Sequence, residues 1–149
     1  MSGKTGRPRS APAAKATADA RNEFDYGLPL MLGVRALEVS AERVTAELEV
    51  KREHYNRNGR VGGGVLMAMA DAMGAAGSVM HRPEGYRGGT LESKTNFFAA
   101  ARGPMLKGEC VPLHIGRTTS VWQTSITDAD GRMVAIVTQT QMALPVSGE

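Results

Sequence analysis

The chain has 149 residues, 42% hydrophobic and 22% charged, with a formal net charge of +3 and one cysteine. That is enough for one domain with a sizeable core. A single cysteine excludes an internal disulfide and fits a reducing compartment, here expected to be the cytoplasm. The positive balance invites a nucleic-acid reading, but it is concentrated at one end. Residues 1–21 carry Lys4, Arg7, Arg9, Lys15 and Arg21 against only Asp19, a net of +4. With those removed from the 18 basic and 15 acidic residues, 13 and 14 remain, a net of −1. A near-neutral domain has no broad basic face, so no nucleic-acid partner is expected.

Residues 1–22 are rich in Ala, Ser, Gly, Pro and cations, with no large apolar residue after Met1. They read as a disordered basic tail, with the folded domain spanning 23–149. The tail lacks the apolar core of a secretory signal, and its prolines argue against a transit peptide. Phe24–Leu32 is an apolar lead-in broken by Gly27 and Pro29. Residues 34–39 then lead through the turn Ser40-Ala41-Glu42 to a clean alternation. Val44, Ala46, Leu48 and Val50 share one face, and Arg43, Thr45, Glu47 and Glu49 the other. This is a half-buried antiparallel strand, the second arm of a hairpin. Residues 51–61 are polar, with Asn56, Asn58 and Gly59, and form a loop.

The loop delivers the chain to Gly62-Gly63-Gly64, followed by Val65–Met80, sixteen residues of which only Asp71 is charged. Ala, Leu and Met dominate, and β-branched and aromatic residues are scarce, so a helix starts near Gly63. Its near-uniform apolarity implies a helix enclosed on most sides. It is too short for the roughly 20 residues that cross a bilayer, and Asp71 would cost about 3 kcal/mol there, so no membrane partner is expected. An acid on such a helix must be paired, hydrogen-bonded or neutralised, which makes Asp71 a candidate for chemistry. The plainer alternative is an Asp facing water and bonding a neighbouring backbone.

After the loop 81–89, four strands are expected at Thr90–Ala99, Met105–Ile115, Thr118–Thr127 and Met133–Leu144. Their separators are Arg102-Gly103-Pro104, Gly116-Arg117 and the hairpin turn Asp128-Ala129-Asp130-Gly131. A strand pair, one enclosed helix and a four-stranded meander make an α+β domain with an antiparallel sheet wrapped around the helix. Cys110 reads as a small buried hydrophobe. His54, His81 and His114 lack metal-ligand spacing, so no metal is expected.

The run Asn56…Gly59…Gly62-Gly63-Gly64…Asp71 resembles the hotdog-fold acyl-CoA thioesterases of the phenylacetate-degradation (PaaI-like) subfamily. Residues 90–97, 101–106, 116–118 and 128–135 resemble that family's following strands and turns, so the likeness spans about Phe24 to Leu144. The family pattern is an Asn, a short Gly-containing loop, His-Gly-Gly, and an Asp about one and a half to two helical turns further on. The resemblance implies a thioester hydrolase whose only cofactor-like group is the coenzyme A of its substrate. It assigns Asp71 as general base or nucleophile, Gly63 as oxyanion donor, Asn56 as support for thioester or water, and Thr90 as the water-orienting hydroxyl. Backbone N–H groups at a helix N-terminus, approached closely through glycine, suit a developing oxyanion. Gly62 and Gly64 complete the substrate-side turn, and Arg117, Arg87, Arg102 and Lys107 are candidate contacts for coenzyme A phosphates. Each has a bland reading: a tight turn, a strand Thr, a loop Asn, solvated surface charges.

One departure stands out: Gly62 occupies the place of the family's His. Carbonyl polarisation then rests on Gly63 and Asn56, with His54 an unsupported substitute. The resemblance also implies a shared site, with the acid from one subunit and the glycine turn from its partner, and hence a homodimer or dimer of dimers. The alternative is a catalytically weak module that binds acyl-CoA. A hotdog dehydratase would want an Asp–His pair, and no His follows Asp71 before His81.

Overall fold

The computed structural model describes residues 11–146. Among these residues, three α-helices, α1 (Ala11–Arg21), α2 (Gly27–Leu32) and α3 (Gly63–Val79), accompany six strands. These are β1 (Val34–Val39), β2 (Val44–Glu49), β3 (Tyr86–Phe97), β4 (Met105–Ile115), β5 (Thr119–Thr127) and β6 (Met133–Pro145). All pair antiparallel in one sheet of order β1-β2-β4-β5-β6-β3. The α+β class, the β1–β2 hairpin and the helix starting at Gly63 agree with the sequence reading.

The expected four-stranded meander does not form. Only β4, β5 and β6 run as a meander, and β3 pairs with β6 at the far edge. The seven residues 98–104 between β3 and β4 contain no tight hairpin turn and instead cross the end of the sheet. Their hydrogen bonds mark the path: Phe98 N–H donates to Val134 O at 2.8 Å, Ala129 N–H to Arg102 O at 3.2 Å, and Val50 N–H to Pro104 O at 2.7 Å. Asp128 pins the crossing. Its carboxylate is buried and accepts the N–H groups of Arg102, Asp130 and Arg132 together with the Arg132 guanidinium. Burial by itself would raise its pKa, but those donors outweigh it and hold the carboxyl below its ordinary value.

The sheet curls around α3. Met69, Met73 and Ala76 of the helix are fully buried with Val44, Leu48, Leu106, Trp122, Ile126 and Val137 of the strands. Close approach depends on glycine at two positions of the helix itself. A Cβ on Gly77 would lie 2.6 Å from the Trp122 ring, and one on Gly74 would lie 2.3 Å from Gln139 Cδ. Cys110 is buried in this core, and burial pushes its thiol up to about 12, so it behaves as a small hydrophobe.

The helix is enclosed on most sides, as expected, and within one chain Gly64, Met67 and Asp71, spaced at i, i+3 and i+7, form its exposed stripe. One further expectation needs correction. The proposed tail is partly structured. Residues 11–21 form α1, which packs on α3 with Ala20 fully buried, and a Lys15–Asp19 ion pair spans one turn. Alanine has the highest helix propensity, and its small side chain lets two helices pack closely without any large anchoring residue. The rest of that tail, residues 1–10, lies outside the described residues.

Candidate active site

The sequence-derived candidates fall into three groups. The first is the glycine turn. Gly62 caps α3 with an extended backbone (φ −65°, ψ 139°), and its N–H donates to His54 O at 2.8 Å. The N–H groups of Gly63 and Gly64 follow in the first helical turn, where no helical carbonyl precedes them. The Phe97 ring lies over Gly63, with Cζ 3.0 Å from the position a Cβ would take. Asn56 Oδ1 accepts the N–H groups of Asn58 (2.9 Å) and Arg60 (3.3 Å), so that oxygen builds the loop and leaves the amide Nδ2 as its free donor. His54 is buried, and its Nδ1 accepts the Lys51 N–H at 3.0 Å. It supports the loop from inside.

The second group surrounds Asp71. Thr90 Oγ1 donates to Asp71 Oδ1 at 3.0 Å, which joins α3 to the edge strand β3. Gln141 Nε2 donates to Thr90 Oγ1 at 2.9 Å, and Gln139 Nε2 reaches Asp71 O at 3.4 Å and Oδ1 at 3.5 Å. Thr90 and Gln141 are cross-strand partners, and the β3–β6 register slips immediately afterwards at Leu91. Such a bulge twists a strand locally and re-aims the side chains beside it. The two glutamines escaped the sequence reading. Their signal was the alternation Ala135, Val137, Gln139, Gln141, which places both amides on the helix-facing side of β6. Polar side chains on a buried face must find partners, so two glutamines there point to an acceptor on the helix.

Glu23 is a further missed neighbour. It is half-buried in the turn Asn22–Phe24, which packs on α3. Burial raises its carboxyl pKa first, Arg82 opposes the rise, and the charge of Asp71 adds to it.

The third group is the cations, and the structure separates them. Arg87 pairs with Leu144 on β3, and Arg117 sits in the β4–β5 turn, both at one end of the sheet. Lys107 lies opposite Glu47 and Thr127 at the other end, beside Arg102 in the crossing. Arg82, which the sequence reading passed over, lies across Gly88 of β3. With Arg117, Ser120 and Gln141 it lines a narrow cleft of about 20 Å³. A larger cleft of about 540 Å³ opens between α1 and residues 82–86, and neither Asp71 nor the glycine turn reaches it.

Asp71 lies eight residues beyond Gly63 along the helix, a rise of about 12 Å. Within one chain the two groups cannot touch the same carbonyl. Among the described residues, no cluster of His, Cys, Asp and Glu has a metal-binding arrangement.

A six-stranded antiparallel sheet curled around one helix, with a carboxylate on that helix and a glycine turn at its start, defines the hotdog fold class. The chain belongs to the Thioesterase superfamily, whose family model matches residues 58–135, just over half of its length. It is 28% identical over 113 residues to the 1,4-dihydroxy-2-naphthoyl-CoA hydrolase of Listeria monocytogenes, covering 74% of this chain and 89% of that one. Its fold is similar to that of a mutant thioesterase PA1618 from Pseudomonas aeruginosa, with TM-score 0.79 and 24% identity over 93% of this chain and 98% of that one. A mutant phenylacetic acid degradation protein PaaI from Thermus thermophilus is similar at TM-score 0.71 and 23% identity, over 77% of this chain and 96% of that one. The resemblance read from the sequence therefore holds at the level of the family, and thioester hydrolase is the enzyme class that goes with it. Among the described residues no helix is long and apolar enough to cross a membrane.

Proposed function

We propose that this protein hydrolyses the thioester of a small or medium acyl-CoA, aromatic acyl groups included, to the free acid and coenzyme A. One observation carries the reading. Asp71 stands on the open stripe of an otherwise apolar helix, with its Oδ1 held by Thr90 and Gln139. A carboxylate exposed to solvent yet fixed in direction can take a proton from water or attack a carbonyl itself. In the first route, water loses its proton to Asp71 and its oxygen adds to the thioester carbon. In the second, Asp71 forms an anhydride that water then cleaves. Either way the carbonyl oxygen gains charge, which the Gly63 N–H and Asn56 Nδ2 are suited to receive, and the C–S bond breaks to release the thiol.

The separation of about 12 Å along the helix supports a site completed by a second copy, with Asp71 of one chain facing the glycine turn of the other. The β3 edge fits that role: among the described residues no strand pairs with its outer side, and Leu91 (58% exposed) and Phe98 (58% exposed) lie on or beside it. The proposed assembly is accordingly a homodimer or dimer of dimers. Arg117 and Arg87, with Arg82 beside them, are better placed together for a polyanionic leaving group than Arg102 and Lys107. A lone buried thiol fits the reducing cytoplasm as the proposed location.

The test is thiol release from a panel of aromatic and aliphatic acyl-CoAs by wild type and Asp71→Asn. The variant keeps shape but cannot accept the proton or attack, so turnover should fall about 10²-fold or more with binding largely kept. Near-normal turnover by Asp71→Asn would make the carboxylate structural. Wild-type protein that binds acyl-CoA but releases no thiol would be a binding module instead, as the absence of a His at Gly62 allows.

A further inference from the structure

We infer that Gln141 and Gln139 are positioning residues that fix which oxygen of Asp71 reacts: Oδ1 is held, and Oδ2 faces the substrate. The inference rests on the proposed hydrolysis at Asp71. It starts from the direction of the hydrogen bonds. Thr90 Oγ1 lies between Gln141 Nε2 at 2.9 Å and Asp71 Oδ1 at 3.0 Å. An amide nitrogen only donates, and an ionised carboxylate only accepts. The single hydroxyl proton of Thr90 must therefore point at Asp71, while Gln141 donates to the hydroxyl's lone pair, holds Oγ1 in place and does not compete for that proton. Turning the Gln141 amide over would place its oxygen against Thr90, draw the proton away and leave two lone pairs facing each other at Asp71.

Gln139 acts on the same oxygen from below. Its side chain is completely buried and pressed against α3 at Gly74, where a Cβ would stand 2.3 Å from its Cδ. Its Nε2 points toward Asp71 O and Oδ1, while its Oε1 has no partner among the described residues. A half-satisfied buried amide is poor material for a core, since an apolar side chain of similar shape would avoid the lost hydrogen bond. At this position it supplies a buried donor aimed up at Asp71 from the sheet beneath. Both donors thus converge on Oδ1, and no described residue donates to Oδ2. That asymmetry is what a general base or nucleophile needs: one oxygen anchors the group while the other keeps its lone pairs for the reacting atom.

Gln141→Leu should lower kcat about tenfold while KM stays within about twofold, because Asp71 is misdirected but the substrate contacts remain. The decisive comparison repeats the change in a Thr90→Ala background. If Gln141 works through the Thr90 hydroxyl, the double variant should be no slower than Thr90→Ala alone. In a Thr90→Ser background, which keeps the hydroxyl, the tenfold loss should return. Equal losses in all three backgrounds, or none in wild type, would overturn the role. Gln139→Leu should lower kcat while Tm is unchanged or raised, since the unpartnered Oε1 disappears; unchanged kcat would remove Gln139 from the inference. A crystal structure of Gln141→Leu reads the same question without turnover. Thr90 Oγ1 should leave hydrogen-bonding reach of Asp71 Oδ1, and an unchanged contact would refute the relay. If the wild type hydrolyses no thioester at all, the proposed function fails, and the crystal structure still decides the hydrogen-bond claim.

Discussion

The two sides of α3 use the same residue type in opposite ways. On the sheet side, Gly74 and Gly77 leave no space: a Cβ would meet Gln139 at 2.3 Å and Trp122 at 2.6 Å. On the open stripe, a Cβ at Gly64 would meet nothing within 4 Å, Met67 is 41% exposed, and Asp71 is exposed. The packed side is complete within one chain, so it carries stability. The open side continues into the β3 edge, which pairs with no further strand among the described residues, so it is where a substrate and a second copy are expected. The opposite edge shows what a finished surface looks like. There β1 is short, and ion pairs of Arg35 with Glu47 and of Arg43 with Glu38 guard it.

The strongest way to break this contrast is to charge the open side. Leu91→Glu with Phe98→Glu should convert the assembly to monomers in sedimentation and lower kcat/KM by at least about 10²-fold, as expected for a site assembled from two chains. Arg35→Ala with Glu47→Ala on the guarded edge should change neither. If the charged β3 variant stays oligomeric and active, the open side is not the interface.

A second comparison sets glycine against glycine. Gly77→Ala must push the Trp122 ring aside and should cost about 1–3 kcal/mol in denaturant unfolding. Gly64→Ala meets open space in a helical position and should leave stability unchanged or slightly higher. Equal losses would mean that the two sides are not energetically distinct.

Restoring the family's His sharpens the reading of the open side. A Cβ at Gly62 would make only ordinary contact, 3.6 Å from His54 O, so Gly62→His can be accommodated. It should raise kcat/KM by up to about tenfold, or about 1.4 kcal/mol of transition-state stabilisation. A decrease would show that this chain's site is shaped around the glycine.

The smallest effect concerns Glu23, whose carboxyl pKa is raised. A raised carboxyl pKa means the charged form is disfavoured on folding, so the cost is full above the folded pKa and absent below the ordinary value of about 4.3. Glu23→Gln should therefore raise Tm slightly at pH 7, and the gain should vanish as pH falls toward 4. A gain that persists at low pH would point to packing instead of charge.

Local signals made much of this legible in the sequence. The alternation from Val44 to Val50, the Asp128–Gly131 turn and the Gly63 start of the helix depend on neighbours a few residues apart, and the structure reproduces each. Asp71 stood out because one charge in an apolar helix demands an explanation. Asn56 showed only as part of a motif, and the structure gives its Oδ1 to the loop. What stayed hidden depends on which segments meet across space. Nothing local to Thr90 places β3 beyond β6, yet that placement brings its hydroxyl between Asp71 and Gln141. The glutamines looked like ordinary strand residues until burial under α3 turned them into obligatory donors. The four candidate cations looked equivalent until the crossing segment put Arg102 and Lys107 at one end and Arg87 and Arg117 at the other. Composition and periodicity determined the elements and the chemistry they contain. The tertiary fold decided which polar groups lose water and must bind one another, and desolvation of that kind depends on contacts between residues far apart in the chain.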